Sequence, residues 1–184
     1  MKKDNGFTLV ELLIAMVIGS IVMAAGYASF ITQQKSYRTT ESVSEIQQNL
    51  RFAMLAIEKD LRMAGFNPKK EIGFGFISPL NANSFTITKD YGSSDPANDE
   101  NGTLETGETI SYDLTSDTLR RNAGSGPKVF ADKITNFELT YFDRNGLETT
   151  AASNVRSVLV KLTATDDGHT RELESLVKCR NMGL

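Results

Sequence analysis

Several residue types on which catalytic and nucleic-acid-binding sites depend are scarce in this chain. Cys179 is its only cysteine, which excludes an intrachain disulfide and a paired-cysteine redox motif. His169 is its only histidine and stands among turn residues, where a histidine is more often solvated than catalytic. The net charge is −3 and basic residues do not cluster, so nucleic acid is not an expected partner. There is no phosphate-binding glycine loop, zinc cluster or nucleophile elbow, so we expect neither an enzyme nor a required cofactor.

Proline is also missing from a long N-terminal stretch, between Phe7 and Gly65. A continuous helix over this stretch would be about 90 Å long. Its part at 12–34 is uncharged and mostly apolar, which is long enough to cross a hydrocarbon core about 30 Å thick. Lys2 and Lys3 precede it and favour a cytoplasmic amino terminus. We therefore expect a single-pass membrane protein with an extracytoplasmic C-terminal part.

One acidic residue, Glu11, interrupts the apolar stretch near its start. An ionised side chain near the bilayer interior costs several kcal/mol unless it has a partner, so such an acid is by default a functional site. A positively charged amine could pair with it, and removing one member of a buried pair costs about 3 to 5 kcal/mol. A secretory signal peptide cleaved near Ala28 is the alternative, but its core would not be expected to hold an acid or to be this long.

The helical period continues beyond the apolar stretch as an amphipathic pattern. Its apolar residues recur at spacings of three and four: Val43, Ile46, Leu50, Ala53 or Met54, Ile57, Leu61 and Ala64. Gly65 is a suitable helix C-cap, and Pro68 prevents the helix from resuming. The predicted segments are a leader at 1–6, a transmembrane helix at 7–34, its amphipathic continuation at 35–65 and a globular β-rich domain at 66–184.

The C-terminal part shows the period-two alternation of strands that bury one face. The alternating apolar residues are Phe85 and Ile87; Ile110, Tyr112 and Leu114; Phe137, Leu139 and Tyr141; Val158, Val160, Leu162 and Ala164; and Leu173, Val177 and Cys179. Turn clusters lie between these runs at 115–117, 144–146 and 166–168. The pattern predicts an antiparallel sheet packed on the apolar stripe of the helix, which is an α+β fold.

The stretch 95–108, between the first two predicted strands, is acidic and fits much of a twelve-residue calcium loop. With Gly102 at the glycine position, oxygen ligands fall at positions three, five, seven, nine and twelve: Asp99, Asn101, Thr103 through its carbonyl, Glu105 and Glu108. The first position is Ala97, which offers no side-chain oxygen, although Asp95 or Asn98 could supply one. A solvated acidic turn is the other interpretation. Calcium is thus the one ion that the sequence suggests.

The letters GFTLVEL at 6–12, which follow a basic leader, resemble the processing motif of type IV pilins and type II secretion pseudopilins. The resemblance implies that prepilin peptidase cuts between Gly6 and Phe7 and methylates the new amino terminus of Phe7. Glu11 would then neutralise the terminal amine of a neighbouring subunit and set the register of a helical fibre. The order of a long helix followed by antiparallel strands is similar to the pilin fold as a whole.

A second resemblance concerns the role within that family. The stretch 51–66, which ends in the letters LRMAGF, is similar to the helix end of W-type minor pilins and of J-type minor pseudopilins. It implies a low-copy subunit that primes fibre assembly or sits at the tip. The expected partners are prepilin peptidase, other pilins, the assembly platform with its ATPase, and membrane lipid. The expected location is the inner membrane, and afterwards a pilus fibre or a periplasmic pseudopilus.

Two alternatives to a minor pilin of a type IV pilus stay open. One is a minor pseudopilin of a type II secretion system, which shares the helix and the processing motif. The other is a membrane-tethered, calcium-dependent binding or adhesin module whose helix serves only as an anchor. The mature amino terminus separates this tethered module from the first two proteins, because an N-methylated Phe7 is expected only of a processed pilin or pseudopilin.

Overall fold

The computed structural model describes residues 7–71, 73–90, 100–105 and 107–182. It begins with a single helix, α1, which extends from Leu9 to Met63. The chain divides into two compact units, Met1–Glu41 and Ser42–Leu184, and α1 contributes residues to both. The uninterrupted helix confirms what the lack of proline predicts, because no residue of this stretch lacks a backbone N–H for the helical hydrogen bonds.

The end of α1 is fixed by Gly65, as predicted. Gly65 adopts the left-handed backbone conformation of a helix cap, with a φ of +74°, and its N–H donates to the carbonyl oxygen of Thr88 at 3.0 Å. A Cβ atom at this position would lie 2.8 Å from Sδ of Met182. Glycine is therefore favoured here by its backbone conformation, and a larger residue would also displace the Met182 side chain.

Seven strands follow α1 in the described part of the chain. They are β1 (Ser84–Thr88), β2 (Thr109–Thr115), β3 (Thr118–Asn122), β4 (Pro127–Asp132), β5 (Ile134–Phe142), β6 (Ser157–Asp166) and β7 (His169–Lys178). All neighbours pair antiparallel, in a four-stranded sheet of order β1-β2-β3-β4 and a three-stranded sheet of order β5-β6-β7. A short 3-10 helix, Ala152–Asn154, precedes β6. The predicted α+β class is confirmed.

The prediction of one sheet is wrong, because the strands form two sheets. The alternation pattern also predicts neither β3 nor β4. Strand β3 carries two adjacent charged residues, Arg120 and Arg121. Strand β4 begins with Pro127 and is mostly exposed. Neither strand therefore shows an alternating apolar face in its sequence. The two sheets separate at Lys133, which lies between β4 and β5 with a φ of +63° and accepts a hydrogen bond from the N–H of Thr165 in the second sheet.

One hydrophobic core joins the later part of α1 to both sheets. To this core the helix contributes Ile46, Leu50, Ala53, Met54, Ile57 and Leu61, and Ala64 follows directly after its end. This confirms the predicted apolar stripe except at Val43, which is half-buried. Within the first sheet, Phe85 stacks on its cross-strand neighbour Tyr112 with 5.1 Å between ring centroids, and across to the second sheet it meets the ring of Phe137 edge-on at 6.3 Å.

The single cysteine is part of this core. Cys179 lies one residue beyond the end of β7, rather than on the strand as predicted, and it is 5% exposed. Burial raises the pKa of its thiol to about 12, so the sulfur stays protonated and unreactive at neutral pH. Its N–H donates to the carbonyl oxygen of Arg156 at 2.9 Å. The predicted role of a small buried thiol is confirmed.

Candidate functional site

The first turn of α1 is organised by Thr8 and Glu11. The Oε2 atom of Glu11 accepts two hydrogen bonds at 2.9 Å, one from the backbone N–H of Thr8 and one from its hydroxyl. The backbone N–H of Glu11 donates in return to Oγ1 of Thr8 at 3.3 Å. The first backbone bond of the helix runs from the N–H of Leu12 to the carbonyl oxygen of Thr8 at 3.2 Å. Thr8 is therefore the N-cap and Glu11 the third helical residue.

This arrangement is a capping box, in which a threonine and a glutamate three residues later satisfy each other's backbone N–H groups. Glu11 is predicted from the sequence only as an intermolecular partner, and no role is predicted for Thr8. The local signal for Thr8 is nevertheless present, because threonine followed three residues later by glutamate before an apolar run is the usual mark of a helix start. Phe7 precedes the cap and is 91% exposed, and Gly6 lies outside the described residues.

The apolar surface that follows the cap is exposed along residues 12–34 except at Ile31, which is half-buried. In the part of the chain that the structure describes, α1 is the one helix long and apolar enough to cross a membrane, and none of its most apolar window is buried. Its hydroxyl groups bond within the helix: Ser20 donates to the carbonyl oxygen of Val17 at 2.7 Å and Thr32 to that of Ala28 at 2.9 Å. Such internal bonds suit a lipid environment, which offers no water to polar groups.

A buried ionic cluster fixes the second-unit part of α1 to the first sheet. Asp60, which is 4% exposed, accepts hydrogen bonds at Oδ2 from the hydroxyl of Tyr112 at 2.7 Å and from Nε of Arg121 at 2.9 Å. Its other oxygen, Oδ1, lies 3.7 Å from Nζ of Lys89. The Arg121 guanidinium also lies over the Tyr112 ring, 5.8 Å from its centroid. This cluster is not predicted from the sequence, because its members are distant in the chain.

The cluster alters the pKa of its members in a consistent way. Burial, followed by the charge of Asp60, raises the pKa of Tyr112 well above its usual value, so its hydroxyl remains a donor. Burial lowers the pKa of Lys89, against the opposing effect of Asp60. Burial acts to lower the pKa of Arg121 as well, but the hydrogen bond to Asp60 and its charge raise it overall. One carboxylate thus balances two cations in a largely dehydrated place.

The acidic loop is organised around Gly102 and Asp90. Gly102 has a φ of +80°, and its N–H donates to Oδ2 of Asp90 at 2.9 Å. A Cβ on Gly102 would lie 2.9 Å from Cγ of Glu71 and 3.3 Å from Cβ of Lys69. These constraints require glycine where the calcium-loop pattern also requires it. Asp90 is not among the predicted calcium ligands, because it precedes the calcium-loop pattern in the sequence. Its carboxylate contacts the loop through the hydrogen bond from Gly102.

Four of the predicted calcium ligands lie in the described part of this loop. Oδ1 of Asn101 accepts from the N–H of Thr103 at 2.6 Å, and the Asn101 amide donates to Oε1 of Glu105 at 2.7 Å. Oε2 of Glu108 accepts from the N–H of Glu105 at 2.8 Å. Asp95 and Asp99, the other two predicted ligands, lie outside the described residues. Among the described residues, no three His, Cys, Asp or Glu side chains group as a metal site.

These features define a class of protein: an α+β chain with a pilin-like fold, whose exposed apolar helix fits membrane anchoring. Residues 1–27 match the family model described as the prokaryotic N-terminal methylation motif. A segment of 61 residues is 43% identical to the "Pilin-like protein PilA3" of Thermus thermophilus, over 33% of this chain and 26% of that protein. The chain thus matches about a quarter of the length of this curated relative. The match to this motif and the similarity to a pilin-like protein each cover only part of the chain.

Proposed function

We propose that this chain is a minor pilin, made as a prepilin and incorporated in, or priming, a type IV pilus. Prepilin peptidase would cut between Gly6 and Phe7 and methylate the new terminus. The observation that carries the proposal is the capping box, because it holds the carboxylate of Glu11 at the start of the apolar helix, four residues after the expected terminus. A negative charge at this end of a helix is also favoured by the helix dipole.

The geometry of the cap is compatible with a second partner for Glu11. Both hydrogen bonds from Thr8 reach Oε2, and within the described residues no other donor contacts this carboxylate. Oε1 of Glu11 would accept a hydrogen bond from the terminal ammonium group of a neighbouring subunit, while Thr8 keeps the carboxylate oriented. The unlike charges would neutralise each other in a medium of low dielectric, where an unpaired charge is costly. The capping box would therefore be retained in the fibre.

The remaining parts of the proposal follow from this assembly role. The apolar part of α1 would store the protein in the inner membrane with its C-terminal domain outside the cytoplasm, as Lys2 and Lys3 favour. Other pilins and the assembly platform would then draw it into the fibre, with ATP hydrolysis supplied by a partner. The low-copy role rests on the resemblance of residues 51–66 to the W-type and J-type minor subunits.

Copy number and associated proteins test the minor role. The full-length chain with a C-terminal tag should appear in sheared fibres at far less than one copy per major pilin. Crosslinking in intact cells followed by affinity capture should recover the pilus assembly platform and other minor pilins. Recovery of secretion-system proteins instead would select the pseudopilin alternative. A chain that is absent from every sheared fibre and crosslinks to neither machinery would contradict an assembly role.

A further inference from the structure

Asp90 is a completely buried carboxylate with an oxygen that has no hydrogen-bond partner. Its exposure is 0%. Oδ2 accepts from the N–H of Gly102, whereas Oδ1 is without a partner among the described residues. Buried polar side-chain atoms are almost always hydrogen-bonded or bound to a ligand, so a buried carboxylate oxygen without a partner is a candidate ligand for a cation. Asp90 is held there by its own backbone, whose N–H donates to the carbonyl oxygen of Phe66 at 2.7 Å.

A second buried carboxylate lies at the adjoining strand end. Asp90 follows β1 and Glu108 precedes β2, and the two strand ends are joined by a hydrogen bond from the N–H of Lys89 to the carbonyl oxygen of Glu108 at 3.0 Å. Glu108 is only 5% exposed. Two acidic side chains are thus buried on neighbouring strand ends, at the edge of the loop that contains Gly102. Both carboxylates accept a hydrogen bond from a backbone N–H of this loop, Asp90 from Gly102 and Glu108 from Glu105, and carboxylate oxygens are the ligands that Ca²⁺ takes.

The charges of the residues around Asp90 also favour a bound cation. The loop residues 100–105 and 107–108 include Glu100, Glu105 and Glu108 and no lysine or arginine. Lys89, next to Asp90 in the chain, has its ammonium 3.7 Å from the carboxylate of Asp60 in the ionic cluster. The stem of Lys69 packs near Gly102, which makes it the basic side chain that a cation would have to tolerate.

We propose that Asp90 is the missing first ligand of a calcium site that also uses Glu108 and the side-chain oxygen of Asn101. Asp90 takes the role that the sequence pattern leaves empty at Ala97. Ca²⁺ accepts six to eight oxygen ligands in irregular geometry, so two carboxylates can be completed by amide, backbone and water oxygens. Glu105 is a positioning residue, because its carboxylate accepts the amide N–H of Asn101.

Calorimetry and thermal unfolding of the full-length protein in detergent micelles test this site. The protein is first equilibrated with a calcium chelator and then with millimolar CaCl₂ at constant ionic strength. Binding to the native state alone raises the unfolding temperature, and calcium at about 100 times its dissociation constant should raise it by about 5 °C or more in a chain of this size. The same concentration of MgCl₂ should give a clearly smaller shift, because Mg²⁺ demands a regular octahedral site.

Matched variants show whether Asp90 carries the effect. Asp90→Asn should weaken calcium binding at least tenfold, and without calcium it should unfold at the wild-type temperature or above, since it removes the unpaired charge. Glu108→Gln should also weaken binding, whereas Glu100→Gln, at an exposed glutamate of the same loop, should bind as the wild type does. The proposal is wrong if the wild type shows neither heat of binding nor a shift in unfolding temperature, or if Asp90→Asn binds calcium equally well. These readouts are independent of fibre assembly.

Discussion

Glu11→Leu is expected to be inserted in the membrane normally but to be nearly absent from fibres. Leucine suits lipid better than an ionised glutamate, so membrane content should not fall. The ammonium of the neighbouring subunit, however, would lose its partner, and breaking a buried pair costs about 3 to 5 kcal/mol. A loss of this size lowers incorporation by about 100-fold or more at equilibrium. The measurement is the ratio of the subunit in sheared fibres to the subunit in membranes, by quantitative immunoblot.

The capping box makes a sharper version of this experiment possible, because charge and capping can be separated. Glu11→Gln keeps an acceptor for the N–H and hydroxyl of Thr8 but removes the charge, and a glutamine is acceptable in a capping box. Thr8→Val removes the hydroxyl but keeps the charge, which should cost about 1 kcal/mol of helix stability. We expect Glu11→Gln to fail like Glu11→Leu, and Thr8→Val to be incorporated with only a modest loss. Wild-type incorporation of Glu11→Gln would show that charge pairing is not the requirement.

Asp60→Ala is expected to destabilise the folded domain by about 3 kcal/mol or more, which is the effect of leaving buried charges without their partner. The change removes the one carboxylate that Arg121, Lys89 and the hydroxyl of Tyr112 share. In a chain of this size the unfolding temperature should fall by about 10 °C, measured by calorimetry of the full-length protein in micelles.

Two companion variants determine whether this loss belongs to the ionic cluster. Glu148→Ala removes an exposed carboxylate and should change stability by no more than about 0.5 kcal/mol. Tyr112→Phe removes the hydrogen bond that the hydroxyl donates to Asp60 and the one that it accepts from Nε of Arg121, but it leaves the ion pairs in place, so it should cost about 1 to 3 kcal/mol. If Asp60→Ala unfolded at the same temperature as Glu148→Ala, the cluster would not contribute to stability as inferred.

Local periodicity is sufficient to predict a strand when one of its two faces is formed entirely by apolar side chains. Strand β6 is an example, because Val158, Val160 and Leu162 alternate with half-buried residues and the strand lies between β5 and β7. Strand β3 is the opposite case. Its Arg120 pairs with Asp113 on the neighbouring strand β2 and its Arg121 with the distant Asp60 on α1, so both charges are satisfied by contacts that form only in the folded chain. A pattern of apolar residues cannot reveal such a strand.

The same distinction applies to the candidate sites. Glu11 is conspicuous in the sequence because an acid interrupts an apolar run, and Thr8 could be recognised from its spacing to Glu11. Asp90 could not be recognised in this way. It lies outside the calcium-loop pattern, and only the hydrogen bond from Gly102 and its complete burial show that its carboxylate faces the loop. Tertiary contacts, rather than spacing along the chain, determine its environment.

The mature amino terminus is the most direct test of the assembly role. Mass spectrometry of the protein purified from sheared fibres should give a first peptide that begins at Phe7 and carries one methyl group on its terminal nitrogen. The matched control is the same protein from cells that lack prepilin peptidase, which should retain Met1 to Gly6. A wild-type protein that still carries the leader in working fibres, or that begins near Ala28, would contradict the account.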